Sequence, residues 1–319
     1  MNYLRFLVRR LAFAALSAYL TVTATFAVVA LTPNPDLGGK LSRAARFDRA
    51  SAAELERIRQ RYVEARGLDA SLLDRYAGWL VDVTTLDWGY SFSFQQPVWD
   101  VLAARVPTTM AYVVPGVLLA VGLGVVVGLF ASLSRDSVFD RVTRVGSYAL
   151  LGVPTFVGLV WYTYATDARV VLIAGTASVT PAVDPKVIAA FAVAAALLAG
   201  QIRFSRAACL EQAGQEFVKL VRAKGSSRLR VARHVLRNAS LPIVSLSTTE
   251  ILAVLVLNVY VVEAVLGIDG LAKASLLAVR ERDMPLVIGT TMVLVFVGIG
   301  GSLVQDALYG YLDPRVDGD

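Results

Sequence analysis

Long uncharged runs alternate with shorter, densely charged ones along the chain, and the apolar runs have lengths that suit a bilayer. Residues 11–31, 108–133, 145–166, 187–202, 243–262 and 286–305 carry no charge apart from Glu250. About 20 apolar residues cross a hydrocarbon core as helix, because lipid offers no partner to a free backbone N–H or C=O. The pattern predicts six transmembrane helices. The fourth run is short for a span, and its helix is expected to continue into the polar sequence after it. The first follows Arg5, Arg9 and Arg10, as a signal peptide's apolar run would. It is longer than the about 7–15 residues usual there and no Ala-x-Ala site closes it, so a retained helix is expected. The polar stretch after it holds "SAAELERIRQRYVEARG", a surface helix with Ser51 as cap, Glu54 three residues on as in a capping box, and Gly67 as stop. "SLLDRYAGWL" reads as a second. In the span from 108, Gly124 and Gly128 have the spacing that lets helices approach closely in lipid.

Composition agrees with this reading and narrows it. At 56% hydrophobic and 18% charged, with a mean hydropathy of +0.60, the chain is too apolar for an ordinary soluble domain, which runs nearer a quarter charged. The single cysteine, Cys209, excludes an internal disulfide and reads as a packing residue. The single histidine, His234, gives a metal site or catalytic triad little to build on. Short cytoplasmic loops are enriched in Lys and Arg, and this bias orients a membrane chain. Residues 203–242 hold nine Lys/Arg against Glu211 and Glu216, a net +7, whereas 32–105 hold ten of each sign and net zero. The N-terminal tail is basic too. Both termini and 203–242 are therefore expected inside, and 32–105 outside.

The expected organisation is an N-terminal tail and first span (1–31), an extracellular segment (32–107) and a membrane core (108–319). Within the core come spans 108–133, 145–166 and 187–202, a cytoplasmic loop 203–242, a span 243–262, an external loop 263–285, a span 286–309 and a cytoplasmic tail 310–319. The fold class is an all-α integral membrane protein.

The basic loop contains "KLVRAKGSSRLRVARHVLRNASLPI". Residues 206–223 are expected to form a helix ending at Gly225 in the C′ position, which glycine occupies without strain. Ser226 or Ser227 caps a second helix running to about Arg237, and Pro242 suits the first turn of the next span. Such a basic elbow fits three roles. It can bind anionic lipid headgroups, at about 1 kcal/mol per basic side chain near the surface. It can bind nucleic acid, against which the lack of interleaved aromatic residues counts. Or it can dock another protein.

The same residues resemble the first of the two permease subunits of ATP-binding-cassette importers of the dipeptide/oligopeptide/nickel class. In that class a cytoplasmic "EAA" loop reads acidic–aromatic, then A-R-A-K-G, then R-H-x-x-R-N-x-x-x-P. Glu216-Phe217, Val221-Arg222-Ala223-Lys224-Gly225, Arg233-His234, Arg237-Asn238 and Leu241-Pro242 fill those positions. The resemblance covers nearly the whole chain. Gly67-Leu68-Asp69 with Tyr76 and Trp79, Asp87-Trp88-Gly89-Tyr90-Ser91, Pro97-Val98 and Pro107-Thr108 match the outer segment of the class, and Val153-Pro154-Thr155-Phe156 resembles its "I-P-S-F". Near the end Val262-Glu263, Gly267, Gly270-Leu271, Arg282-Asp283, Pro285, Asp306, Tyr309 and Asp313-Pro314-Arg315 match as well. It departs at Pro33-Asn34-Pro35, at Asp269, at Leu257 and Asn258, and at Lys219, where generic permeases carry glutamate.

The resemblance implies a type I importer fold with six spans, half of a translocation path, and a docking loop built of Glu216, Phe217, Lys219, Arg222, Ala223, Lys224, Gly225, Arg233 and His234. It implies as partners a second homologous permease, two ATPase subunits and an extracellular substrate-binding protein. No G-x-x-x-x-G-K-[ST] loop occurs in the chain, so ATP and Mg are expected on the ATPases and no cofactor here. Closure of the ATPases would move the elbow as a lever and switch the spans between inward- and outward-facing. For the substrate path, polar residues in or beside the spans are candidates, because burying charge in lipid is expensive. These are Glu250 and Asn258, eight residues and so about 80° apart on a helix, and Glu263 at the outer end, which also suits a packing role under the following loop. Glu250 equally suits a hydrogen bond to the second permease. A secondary transporter would show inverted repeats and matching broken spans, and an intramembrane enzyme a catalytic set; neither pattern is visible. The expected cargo is peptide, with nickel chelates and oligosaccharides as alternatives in the same class.

Overall fold

The computed structural model describes residues 3–31, 35–65, 69–165, 183–281 and 283–312. The expected helix stop at Gly67, the end of the span at 166, most of the loop after it, Arg282 and the tail beyond 312 lie outside these residues. The chain divides into two compact units, residues 13–105 with 274–297, and residues 1–12, 106–273 and 298–319.

In the first of these units, α1 (Tyr3–Leu31) contributes its residues from Phe13 on and is followed by α2 (Pro35–Arg46), α3 (Ala52–Ala65) and α4 (Leu72–Thr85). The capping box of α3 forms. Ser51 N–H donates to Glu54 Oε2 at 2.7 Å while Glu54 N–H donates to Ser51 Oγ at 3.4 Å, and the Ser51 N–H and hydroxyl hold the Glu54 carboxyl below its usual range. Ser71 caps α4, its Oγ accepting from the Asp74 N–H at 3.2 Å. Trp79 and Tyr76 on α4 fasten to α1: the indole donates to the Val22 carbonyl at 3.3 Å and the phenol meets Thr23 Oγ1 at 2.6 Å. A two-residue hairpin, β1 (Tyr90–Ser91) with β2 (Gln96–Pro97), leads into α5. It is the one strand pair among the described residues.

In the other unit lie most of α5 (Val98–Leu133), α6 (Val138–Gly152), α7 (Thr155–Ala165), α8 (Pro185–Ala213), α9 (Glu216–Ala223) and α10 (Arg228–Leu266). Helices α11 (Leu271–Glu281) and α12 (Met284–Leu312) are the last of the described elements. Gly116, Gly124 and Gly128 put one face of α5 hard against α8. A Cβ on Gly128 would stand 2.7 Å from Arg206 N and 2.8 Å from the Ile202 carbonyl oxygen. Glycine is needed there for close approach, the use its spacing suggested. Among the described residues four helices are long and apolar enough to cross a membrane, and two bent pairs bring the number to six if each is one span.

Three expectations about local structure change. The helix expected over 206–223 is instead the end of α8 and a separate α9, broken at Gly214-Gln215, because glycine is a poor helix former and Gln215 is extended. Pro242 does not begin a span. It lies inside α10, which continues through Pro242 and bends by 47° only farther on, between Ala253 and Val256. Membrane helices tolerate such a proline where neighbours re-satisfy the freed carbonyl. The apolar run 145–166, expected as one span, turns by 79° at Val153-Pro154, since the residue before a proline is driven out of the helical region and Val153 is extended.

Candidate functional site

The elbow is built on buried aliphatic side chains. Val218 of α9 and Val231, Ala232 and Val235 of α10 join Leu129 of α5 and Cys209 of α8 in one buried cluster. Burial of that face fixes which face is left outside. Glu216, Lys219, Arg222, Ala223, Lys224, Gly225, Arg233 and His234 are all on the outer side, and Phe217 is half-buried. The structure brings all nine predicted docking residues to one short segment around the turn.

The turn itself is glycine-dependent. Gly225 has φ +71°, its N–H closes on the Arg222 carbonyl at 2.9 Å, and a Cβ there would meet nothing of this chain within 4 Å. Ser227 then caps α10 by accepting from Arg230 N–H at 3.4 Å. Lys219 reaches Glu216 at 2.7 Å, but among the described residues no carboxylate pairs with Arg222, Lys224, Arg228, Arg230 or Arg233. Leu220 and Leu229 stand exposed beside them, at 59% and 74%. The surface is basic with two apolar side chains, open to a partner.

The three polar candidates for a path sit differently. Glu250 accepts from Gln201 Nε2 at 2.5 Å, and Gln201 Oε1 accepts from Ser247 Oγ at 2.6 Å. Its carboxylate occupies the space that a side chain on Gly200 would fill. Its helix–helix bond therefore runs to α8 of the same chain. Asn258 donates to Thr155 Oγ1 at 3.2 Å, and its buried Oδ1 has no partner among the described residues. Glu263 is fully buried. It accepts from Thr109 Oγ1 at 2.6 Å, Tyr112 OH at 2.9 Å and the N–H of Lys273 at 2.8 Å, in the first turn of α11. Gly270 is small because its Cβ would collide with that carboxylate and with Thr109. Glu263 thus caps α11.

Two arrangements go beyond what the linear pattern foretells. Asp283 is buried at the start of α12 and accepts from Ser91 Oγ at 2.6 Å and Ser93 N–H at 2.9 Å, pinning the hairpin. Ser91 and Asp283 both belong to stretches that match the permease class, and that match is the one signal the chain offers for the pair. Asp140, also fully buried, receives Arg206 through Nε at 2.5 Å and Nη2 at 2.9 Å. Nothing in the order of residues singles out Asp140, and Arg206 is one cation among nine.

Comparison with known proteins agrees with the architecture. Residues 124–318 match the family model of the binding-protein-dependent transport system inner membrane component. A Brucella abortus (strain 2308) protein named as a peptide transport system permease is 32% identical over 285 residues, covering 84% of this chain and 86% of the relative. The dipeptide transport system permease protein DppB of Escherichia coli (strain K12) is 28% identical, over 78% of this chain and 82% of its own. The oligopeptide transport system permease protein AppB of Bacillus subtilis (strain 168) is 26% identical, over 81% and 85%. The motifs that fix the elbow, the hairpin and the α11 cap thus sit in a chain that belongs to the binding-protein-dependent transport system inner membrane components, an all-α membrane permease of the ATP-binding-cassette importers.

Proposed function

We propose that this chain is one of two permease subunits of an ATP-driven peptide importer, and that the elbow at Gly225 is where an ATPase subunit docks. The observation that carries the reading is the turn itself: a left-handed glycine with open space over it, flanked by Arg222, Lys224, Arg228, Arg230 and Arg233, which pair with no carboxylate among the described residues, and standing on a buried apolar base. A lipid-binding surface would need the cations but not the vacant glycine. The relatives are named for peptide, dipeptide and oligopeptide transport, which supports peptide as cargo over nickel chelates or oligosaccharides. The chain has no phosphate-cradling loop, so ATP and Mg belong on the ATPases and the subunit itself is not an enzyme. The second permease and an external binding protein complete the assembly. Charge asymmetry puts the elbow and both termini in the cytoplasm and 32–105 outside. Glu250 and Asn258 remain candidates for the path.

The test combines orientation and docking. A cysteine at Ser226 should resist a membrane-impermeant thiol reagent in intact cells, whereas one at Ser51 should react. Gly225→Asp should insert at normal abundance, yet lose ATPase copurification or peptide uptake. Wild-type uptake by Gly225→Asp would refute the elbow as the docking element.

A further inference from the structure

The apolar cluster under the elbow takes side chains from α5, α8, α9 and α10 but none from α6. Helix α6 is attached in the opposite sense. Its buried residues are Asp140, Thr143 and Ser147, all polar, while Val138, Val142, Val145 and Leu151 are exposed. The strongest bond across this polar face is the Asp140–Arg206 fork, aided by the Arg203 guanidinium 5.1 Å from the Tyr148 ring centroid. The Asp140 carboxylate also accepts the Asp136 N–H at 3.1 Å, which orders the turn before α6. On the other side, the backbone N of Arg206 lies 2.7 Å from where a Cβ on Gly128 of α5 would stand. One arginine therefore ties α6 to α8 by its side chain, at the place where α8 touches α5 by its backbone.

Buried ion pairs seldom add net stability over an apolar contact of the same volume, though breaking one by removing a single partner is costly. Their best-attested use is to fix one geometry. We propose that Asp140 and Arg206 are positioning residues for transport: their fork makes α6 follow α8, so that displacement of the elbow is carried into the α6–α7 element as well as into α8 and α10. The inference rests on the elbow being the ATPase contact. Without the fork, the elbow moves while α6 lags, and ATP is spent with less import.

The test uses the complete transporter in proteoliposomes, measuring peptide imported per ATP hydrolysed. Asp140→Asn/Arg206→Gln removes both charges together and so avoids an orphaned buried ion. It should lower import per ATP by about 5-fold or more, in the range of ordinary coupling energies, while assembly and ATP hydrolysis are kept. An unchanged ratio overturns the proposal. Gly225→Asp, run alongside, separates the premises: if that variant is also wild type, the docking reading has failed instead. An independent measurement stands even where the neutral pair fails to assemble. In a Cys209→Ser background, spin labels at Arg141 and Glu211 of the otherwise unaltered chain should keep their separation within about 2 Å between ATP-free and ATP-bound states, as a rigid pair of helices would. A larger change there overturns the fork as a link.

Discussion

The elbow at Gly225 and the cap at Glu263 lie on the two ends of the same helix, α10, and handle their polar groups in opposite ways. Around Glu263 every partner is internal. The carboxylate accepts from Thr109, Tyr112 and Lys273, and Thr109 Oγ1 accepts from the Leu271 N–H in turn. Around Gly225 the polar groups point outward and the internal contacts are aliphatic. The difference shows where each residue's partner is to be sought. A charge that is buried and satisfied belongs to the fold. A charged turn that is exposed, in a conformation that favours glycine, suits the contact outside the chain proposed above.

Glu263→Ala should give the largest effect. It leaves the Tyr112 and Thr109 hydroxyls and the first turn of α11 without their acceptor in a fully buried site. Losing hydrogen bonds to a buried charge, and orphaning their donors, costs about 3 kcal/mol or more in all. Membrane abundance and the detergent melting temperature should both fall. Normal abundance with lost uptake would break the comparison, and would move Glu263 from the fold to the substrate path.

Next comes Gly225→Asn, set against Gly225→Asp. Asparagine tolerates the left-handed conformation better than most residues, and its Cβ would meet nothing within 4 Å. Strain alone is worth roughly 1 kcal/mol. If the loss of ATPase copurification by Gly225→Asn approaches that of Gly225→Asp, bulk against a partner is the cause. If asparagine restores docking, the requirement is only for the backbone.

Much of this is legible in the chain because it is periodic or local. Apolar length marks the spans, Ser51 and Glu54 mark a cap, and the glycine before Ser226-Ser227 marks a turn. What fails to show depends on neighbours distant in sequence. Pro242 reads as a helix start on local rules, yet α10 passes through it because tertiary packing outweighs the lost N–H. Val153-Pro154 reads as part of a span by hydropathy, which is blind to backbone direction. Asp140 is invisible because its partner is 66 residues away. Glu250, Asn258 and Glu263 are legible as polar exceptions in or beside apolar sequence, but not as three different environments, since periodicity does not say who stands opposite.

The smallest effect is expected at Arg228→Ala, and the reason lies in the surroundings of its side chain. Arg228 is the first residue of α10, exposed, and unpaired with any carboxylate among the described residues. It stands where the positive end of the helix dipole slightly disfavours a cation, so removing it does not weaken the helix. Six other basic side chains remain between Lys219 and Arg237. Against a partner, one exposed charge among seven contributes less than about 1 kcal/mol, and salt screens it. Arg228→Ala should therefore keep at least about a fifth of wild-type ATPase affinity, with the deficit shrinking as ionic strength rises. A loss as deep as that of Gly225→Asp, persisting in high salt, would mean that Arg228 makes a desolvated pair with the partner, and that the elbow is read by its charges before its shape.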